Sequence, residues 1–525
     1  MQYFDFHTHV ILKQLFNDSP NIDARISTND VDGIPRICTD LPNIIETQIH
    51  QSQLADFKDE VIIGAALYGL ESYLAEEVIP LRKYLKGSSQ YKLSLQLLTD
   101  VAANKYTSFT DFTFKRTLEC YLNSPGTFNI LRKESFKSPL PTNKVNIFFV
   151  VEGCHSLVDS VNKVENGKGY PPAEILSNLD KLLQQVNILS VNPTHMQQSN
   201  LCNHAFGIQI TRVDPFFPTG NGLTDDGRKV IQGLFDRKIC VDLKHMSYKS
   251  RLDLMNEIAA NKFNNTQPLL CTHAGFTGVS FVDWPKYIGL KKPMTDVFYL
   301  ELVKSMHTEN MPQRPGAPAF NLSTINLFNE EIVWIVKNGG VIGLSMDRRI
   351  IGYVSKHDEK PTGMNPQSDL IVDKEYFSKT EWNSLQIDDN SIGKKIDEDD
   401  CVTMTDLEQN TEDSIPARDE YFFDHILLHL KHFLQVCHDA NIAITDAAKH
   451  ITLGTDFDGL INPFINIPTV EFMSQLKKYI KMNFRFYLQT LTDSSQWVDE
   501  LNLDQFVEDL FYNNGYNFVK SRFAL

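Results

Sequence analysis

The sequence YFDFHTHV at residues 3–10 joins a short apolar run to two histidines, and the same type of segment recurs along the chain. Seven further β-rich runs bounded by turn residues lie at 61–69, 144–153, 188–195, 238–245, 268–275, 339–346 and 450–459. Most are continuously apolar rather than alternating, which is typical of parallel strands covered on both faces. Eight such strands separated by helical patterns predict a closed (β/α)8 barrel.

The segments between these runs differ in length. Apolar residues spaced three and four apart predict helices at 173–186, 223–237 and 424–440. Three longer segments, 70–143, 274–338 and 347–424, exceed a simple connection and should hold extra helices or lids. We therefore expect one barrel domain over residues 1–525, with an acidic insertion at about 347–424. Its run KIDEDDCVTMTDLEQNTEDS is either a solvated surface or a lid over the barrel mouth.

The end of the chain is also apolar at helical spacing. The stretches VEFMSQLKKYIKMNFRFYL at 470–488 and DQFVEDLFYNNGYNFVKSRF at 504–523 predict helices that close the barrel wall.

The composition indicates what kind of partner the chain binds and in which cellular compartment we expect it. The chain has 525 residues and a formal net charge of −16, which argues against nucleic acid and anionic membrane and favours a small molecule. No apolar run approaches the roughly 20 residues needed to span a bilayer, and the first residues lack the features of a signal peptide. Eight cysteines without a CxxC pair predict no disulfide framework, so we expect a cytoplasmic protein.

Polar residues end most of the predicted strands. In a (β/α)8 barrel the carboxyl ends of the strands form the active-site face, so these side chains should meet at one rim. The residues at these ends are His7, His9, Glu152, His195, His245, His273 and Asp456.

The histidines indicate a metal site. His7 and His9 are two residues apart on a strand and should point the same way, and His245 and His273 end consecutive strands. Each of them alone could equally be a satisfied core or loop histidine. Because neutral imidazole is a common ligand of zinc and similar metals, the four together predict metal binding.

Two carboxylates accompany the histidines. Glu152 ends a strongly apolar strand, where its charge is costly to bury unless a cation neutralises it, so it could bridge two metals or simply be exposed. Asp456 ends the last strand and is placed to orient and deprotonate a water. Asp458 is a less certain partner that could instead cap the following turn.

Several motifs are similar, in order, to those of the membrane dipeptidase (peptidase M19) family within the amidohydrolase superfamily. They are HTH at 7–9, VEGCHSL at 151–157, NPTHMQQSN at 192–200, GLTDDGRKVI at 222–231, VDLKHMS at 241–247, THAG at 272–275, NLSTINLFNEEIVWIVKNGGVIGL at 321–344 and GTDFDG at 454–459. The chain ends on FYNNGYNFVKSRF, which resembles the family's closing helix. The likeness spans nearly the whole chain.

The resemblance implies two divalent metal ions, expected to be Zn²⁺, and a hydroxide between them that attacks the amide bond of a dipeptide. By position, His7 and His9 would bind the first metal, Glu152 would bridge, and His245 and His273 would bind the second. His195 would contact the substrate carbonyl or oxyanion, and Asp456 would handle the proton of the water and the substrate amine. Because the family often forms dimers, a homodimer is a further expectation.

Two positions depart from the family pattern. The first motif of the family is HxD, whereas this chain carries His9 at the carboxylate position, which removes one negative charge from the site. The family also places an arginine, which grips the α-carboxylate of the dipeptide, where this chain has Phe320. Arg348 or Arg349 after the seventh predicted strand could replace it, or they could be an exposed pair.

These departures leave three readings of function open. The first is a zinc-dependent hydrolase of dipeptides or dipeptide-like amides. The second is a superfamily hydrolase of another small substrate, such as a lactone, a cyclic amide or an N-acyl amino acid, which Phe320 favours. The third is a protein that retains its metals for binding without catalysis.

Overall fold

The computed structural model describes residues 1–27, 41–80, 93–160, 169–207, 216–303, 319–352, 372–394, 415–464, 466–489 and 497–524. The strands are β1 (Tyr3–Thr8), β2 (Val61–Leu67), β3 (Phe128–Ile130), β4 (Val145–Val151), β5 (Ile188–Val191), β6 (Cys240–Asp242), β7 (Leu269–Ala274), β8 (Ile288–Pro293), β9 (Val297–Val303), β10 (Ile342–Leu344), β11 (Val372–Ser378) and β12 (Ile451–Leu453).

Helices of very different length connect the strands. The α-helices are Leu12–Leu15, Leu41–Ile45, Gln51–Leu54, Ser72–Val78, Leu95–Ala102, Glu119–Leu122, Pro172–Leu183, Asp225–Asp236, Tyr248–Ala259, Asn329–Lys337, Arg348–Ile351, Lys379–Ser384, Ile415–Asp439, Ile444–Ala447, Met473–Gln489, Leu503–Glu508 and Asn514–Phe523. Two π-helical segments, Ser108–Leu118 and Asp509–Asn513, also occur. Within the described ranges, no helix is both long and apolar enough to cross a membrane.

Eight parallel strands form a closed barrel in the order β1-β2-β4-β5-β6-β7-β10-β12. Closure comes from the residues just after β12, where Asp456 N donates to His7 O at 3.0 Å and His9 N donates to Phe457 O at 2.8 Å. All eight predicted strands are present, and helices separate most of them along the chain. The predicted (β/α)8 barrel is therefore confirmed.

Side chains fill the barrel interior. Phe4 and Phe6 on β1 reach the ring of Phe148 on β4, with centroids 5.6 and 6.2 Å apart, although β2 lies between the two strands. Gly64 on β2 makes this contact feasible, because a Cβ there would lie only 2.9 Å from the Phe148 ring and 2.2 Å from Phe6 O. Strands buried on both faces explain why the predicted runs are continuously apolar.

The C-terminal helix lies across the amino-terminal end of the barrel. It contacts β1, β12 and β5, and Phe518 packs edge-on against Phe6 at 6.0 Å. Nearby, Tyr512 donates to Glu60, which directly precedes β2. We expected the two C-terminal stretches to close the barrel wall. The segment Asp509–Asn513 does contact β1 and β12, whereas the last helix covers the bottom of the barrel with its apolar side chains.

The long insertions contribute more strand than their sequences indicated. The segment 70–143 holds helices but also β3, which pairs with β4. The other two supply a separate three-stranded antiparallel sheet in the order β11-β9-β8. In β11, VDKEYFS, buried and half-buried residues alternate, whereas β8 and β9 combine buried residues with half-buried or exposed ones in no regular order. Both patterns are weaker than the continuous apolar runs of the barrel strands. The acidic run at 395–414 lies outside the described residues.

A buried carboxyl group connects this second sheet to the barrel. Glu375 on β11 is fully buried and accepts hydrogen bonds from the Ser323 hydroxyl and from Thr324 N at 3.0 Å. Burial raises the pKa of Glu375 from its ordinary 4.5 to about 7, and the nearby charge of Asp373 acts in the same direction.

We expect Glu375 to make stability depend on pH. Because its pKa is higher in the folded than in the unfolded chain, its stabilising effect is complete below about pH 4.5 and is lost as pH rises through about 7. The loss should approach about 3 kcal/mol in the free energy of unfolding. Urea denaturation of wild type and Glu375→Gln at pH 5 and pH 8 measures it. Equal pH dependence in the two proteins would contradict this assignment.

Candidate metal centre

The Glu152 carboxylate lies at the centre of a ring of imidazoles at the carboxyl end of the barrel. The Glu152 residue is 2% exposed. One or other of its oxygens lies within 3.7 Å of the Nε2 atoms of five histidines, which are His9 at 2.9 Å, His245 at 3.2 Å, His7 at 3.5 Å, His273 at 3.5 Å and His195 at 3.7 Å. The structure thus brings together all five predicted metal ligands.

The donor set fits divalent metal ions. Ligand atoms of His7, His9 and Glu152 lie within 4.8 Å of one another, and so do those of Glu152, His195 and His245. Burial lowers the pKa of His245 to about 3 and holds that of His273 well below its ordinary value, so both rings are neutral. Neutral imidazole nitrogens beside a carboxylate are the ligands that zinc and related metals prefer.

A threonine fixes the orientation of two of the rings. Thr272 Oγ1 lies 3.1 Å from Nδ1 of both His7 and His273, and it donates its own hydrogen to Asp242. Since the hydroxyl has only one hydrogen, it must accept from the two imidazoles, which places their protons on Nδ1. Their Nε2 lone pairs are then available to a metal. A hydrogen-bond partner on one nitrogen of a metal-binding histidine typically orients the other nitrogen in this way. Neither Thr272 nor Asp242 was predicted from the sequence to have a role in the site.

The opposing charges explain the state of the central carboxylate. Burial alone would raise the pKa of Glu152, but the charges of His195, His9 and His7 outweigh it and hold that pKa well below its ordinary value. A carboxylate in this position has the chemistry of a ligand that can bridge two cations.

Asp456 borders the same cluster, with its Oδ1 3.5 Å from His9 Nε2. Burial, followed by the charge of Glu152, raises the pKa of Asp456 well above its ordinary value. Its backbone is left-handed, with φ of 61°, and His245 is left-handed too, with φ of 68°. Non-glycine residues in this region are uncommon and concentrate at functional sites.

Asp458 has a different set of partners. Its carboxylate is fully buried and lies 2.8 Å from Lys13 Nζ, and it accepts from Gln48 N at 2.7 Å. Asp458 therefore ties two amino-terminal segments to the loop after β12. These contacts are structural.

A buried network on the side of His195 was missed by the sequence analysis. Glu71, which is fully buried, lies 2.9 Å from His195 Nδ1 and accepts from the Tyr68 hydroxyl at 2.6 Å. His155 stacks near His195, with ring centroids 5.8 Å apart. Glu71 lies four residues beyond the end of β2, inside the segment treated as an insertion, which is why the strand-end rule did not select it.

Lys244 places a buried amine beside the cluster, and burial lowers the pKa of this amine. It is 2% exposed, and among the described residues its Nζ has no hydrogen-bond partner. Its charge helps to lower the pKa of both His245 and His273, after burial. Lys244 thus favours the neutral, metal-binding form of these imidazoles.

The three residues suggested for substrate binding lie in different surroundings. Phe320 is buried, with its ring centroid 5.0 Å from those of His429 and His432. Arg348 is also buried. Arg349 is 28% exposed, pairs with Asp347 at 2.5 Å and reaches Leu460 O at 3.3 Å, next to the loop that carries Asp456. Arg348 and Arg349 are therefore not an exposed pair. A role in substrate binding stays a prediction for Phe320 and for both arginines.

Comparison with known proteins adds evidence on the fold. Neither a family model nor a curated protein sequence matches this chain. Among solved structures, a metallopeptidase from Rhodobacter sphaeroides, liganded with a phosphinate mimic of the dipeptide L-Ala-D-Ala, is 14% identical with a TM-score of 0.50, and 99% of each chain is covered. A dipeptidase of metallopeptidase family M19 is 14% identical with a TM-score of 0.49, covering 100% of this chain and 99% of its own. Over nearly its full length the chain thus has the fold of a solved metallopeptidase, as the motifs predicted.

Proposed function

We propose that this chain is a metal-dependent hydrolase that cleaves the amide bond of dipeptides or dipeptide-like small molecules. The observation that carries the proposal is the buried carboxyl group of Glu152 with five imidazole nitrogens within 3.7 Å of its oxygens. A buried carboxylate needs compensation, and this donor set matches metal ions better than it matches a purely structural role.

We assign two divalent ions, taken to be zinc, to this cluster. His7 and His9 would hold one ion, His245 and His273 the other, and Glu152 would bridge them. When bound, these ions would supply the Lewis acidity that polarises an amide carbonyl.

The remaining roles belong to the chain itself. Asp456 borders His9 and, with its raised pKa, is suited to hold a proton and pass it to the leaving nitrogen. The Nε2 atom of His195 faces the same space as Glu152, where it can contact the carbonyl oxygen of the substrate.

The substrate class follows from two observations. The solved metallopeptidase with the same fold binds a dipeptide mimic. In this chain Arg349 reaches Leu460 O beside the Asp456 loop, so it is our candidate for binding a substrate carboxylate, which would have to displace Asp347 from the guanidinium. The buried Phe320 favours the second candidate, hydrolysis of a small amide or ester without a free carboxylate, such as a lactone, cyclic amide or N-acyl amino acid.

Metal removal tests the proposal directly. We expect purified protein to contain close to two zinc ions per chain, and a panel of dipeptides, including those with a D-residue at the carboxyl end, to be cleaved. Treatment with a chelator should abolish cleavage, and added Zn²⁺ should restore it, because the imidazoles alone cannot polarise the amide. The metal content per chain measures binding, and the release of free amino acids measures cleavage.

Other outcomes separate the alternatives. Cleavage of lactones or N-acyl amino acids without cleavage of dipeptides would support the second candidate. Bound metal with no turnover of any substrate would contradict both candidates and favour a binding protein. The cytoplasmic location and the homodimer stay predictions.

A further inference from the structure

Glu71 is a buried acid for which the proposed reaction has so far no use. It follows β2 at the carboxyl end of the barrel and directly precedes the helix Ser72–Val78. Its oxygens lie 2.9 and 3.1 Å from Nδ1 of His195, and the Tyr68 hydroxyl donates to it at 2.6 Å. Both side chains that bond to Glu71, His195 and Tyr68, therefore lie on the side of the candidate metal centre.

The other side of the His195 ring faces the reaction. Its Nε2 lies 3.7 Å from Glu152 Oε1, and its ring centroid lies 4.4 Å from that of His245. A carboxylate on Nδ1 accepts the proton of that nitrogen and prevents the ring from turning over. With Nδ1 engaged, Nε2 is the atom that meets a substrate in the cluster.

Ring contacts restrict His195 further. The Tyr68 ring packs edge-on against it at 5.3 Å, and the His155 ring stacks at 5.8 Å. Tyr68 thus contacts both the carboxylate and the imidazole. An acid that only stabilised the fold would not need partners that converge on one histidine.

We propose that Glu71 is a positioning residue that holds His195, through Nδ1, with its Nε2 toward the scissile carbonyl. This inference rests on the proposed hydrolase function and deepens it, because it adds Glu71 and Tyr68 to the residues that shape the site. Glu71 itself does not touch the substrate.

Kinetics of three variants test the proposal. We expect Glu71→Ala to lower kcat about 10- to 100-fold, the usual effect of losing such an orienting partner, while KM changes little. Glu71→Gln should retain more activity, because its amide oxygen can still accept from Nδ1. In the His195→Ala background, Glu71→Ala should have almost no further effect, since its action passes through His195.

A control acid and a spectroscopic readout complete the test. Glu330 accepts from the Tyr248 hydroxyl at 3.1 Å and from Phe281 N rather than from a histidine, so Glu330→Gln should leave kcat unchanged. Nitrogen-15 spectra of histidine-labelled protein, assigned with His195→Ala, should show a hydrogen-bonded Nδ1–H on His195 in wild type and the loss of that hydrogen bond in Glu71→Ala.

Two results would overturn the proposal. One is a folded Glu71→Ala protein in which kcat and the nitrogen-15 signals of His195 are both unchanged. The other is an equally large loss of activity in the presence and absence of His195. If wild type cleaves no dipeptide, the proposed function fails, whereas the spectra still decide whether Glu71 controls His195.

Discussion

Glu152→Gln should lose almost all hydrolytic activity and most of its bound metal. The amide keeps the shape of the side chain but removes the negative charge on which five imidazole nitrogens converge. Losing a residue that only hydrogen-bonds to a metal ligand lowers metal affinity or activity about 10- to 100-fold. Losing a ligand that bridges the metals should therefore lower kcat/KM by more than about 100-fold. Metal content per chain and steady-state kinetics measure the effect.

The control for this variant is Glu257→Gln. Glu257 pairs with Arg228 at 2.7 Å at the edge of the helix Tyr248–Ala259, so the same change of charge there should leave metal content and kcat/KM intact. If Glu152→Gln retained two metal ions and full activity, the assignment of the metal centre would be wrong.

Arg251→Met should destabilise the protein more than any change at the surface. Arg251 is 1% exposed and pairs with the fully buried Glu331, with Nε 2.6 Å from Oε1 and Nη2 3.0 Å from Oε2. Its Nη1 also donates to Met246 O at 2.6 Å. Removing one partner leaves an uncompensated buried charge, so we expect a loss of about 3–5 kcal/mol in the free energy of unfolding, measured by urea denaturation.

The double variant Arg251→Met, Glu331→Met separates the charge from the packing. Replacing both members of a buried ion pair by apolar residues is often nearly neutral, so the double variant should recover much of the lost stability. A double variant less stable than Arg251→Met would show that the hydrogen bonds of Arg251 to backbone carbonyls matter more than its ion pair.

The barrel and the ligand cluster could be predicted because both depend on local sequence. Most barrel strands are continuous apolar runs, and the residue types that bind metals stand at the ends of β1, β4, β6 and β7 or one to three residues beyond them. Parallel strands bring such positions together, so His7 and His273, although far apart in sequence, could be placed at one rim before their coordinates were known.

What could not be predicted depends on contacts between distant segments. Nothing local distinguishes Glu71 from a surface acid, because its role arises only when His195 packs against it. Thr272 likewise appears as an ordinary strand residue until His7 and Asp242 surround its hydroxyl. The second sheet escaped notice because half-buried strands in an insertion have a weak pattern, and register between such strands is set by tertiary packing.

The junction between β1 and the residues after β12 has a consequence for synthesis. Thr455, which is 450 positions beyond Asp5, donates to it through both its backbone and its hydroxyl, and Asp456 Oδ1 lies 3.5 Å from His9 Nε2. During translation the amino-terminal histidines therefore emerge long before the segment that completes their surroundings. We therefore expect a chain growing on the ribosome to hold only part of the candidate metal centre until nearly the entire polypeptide has been released.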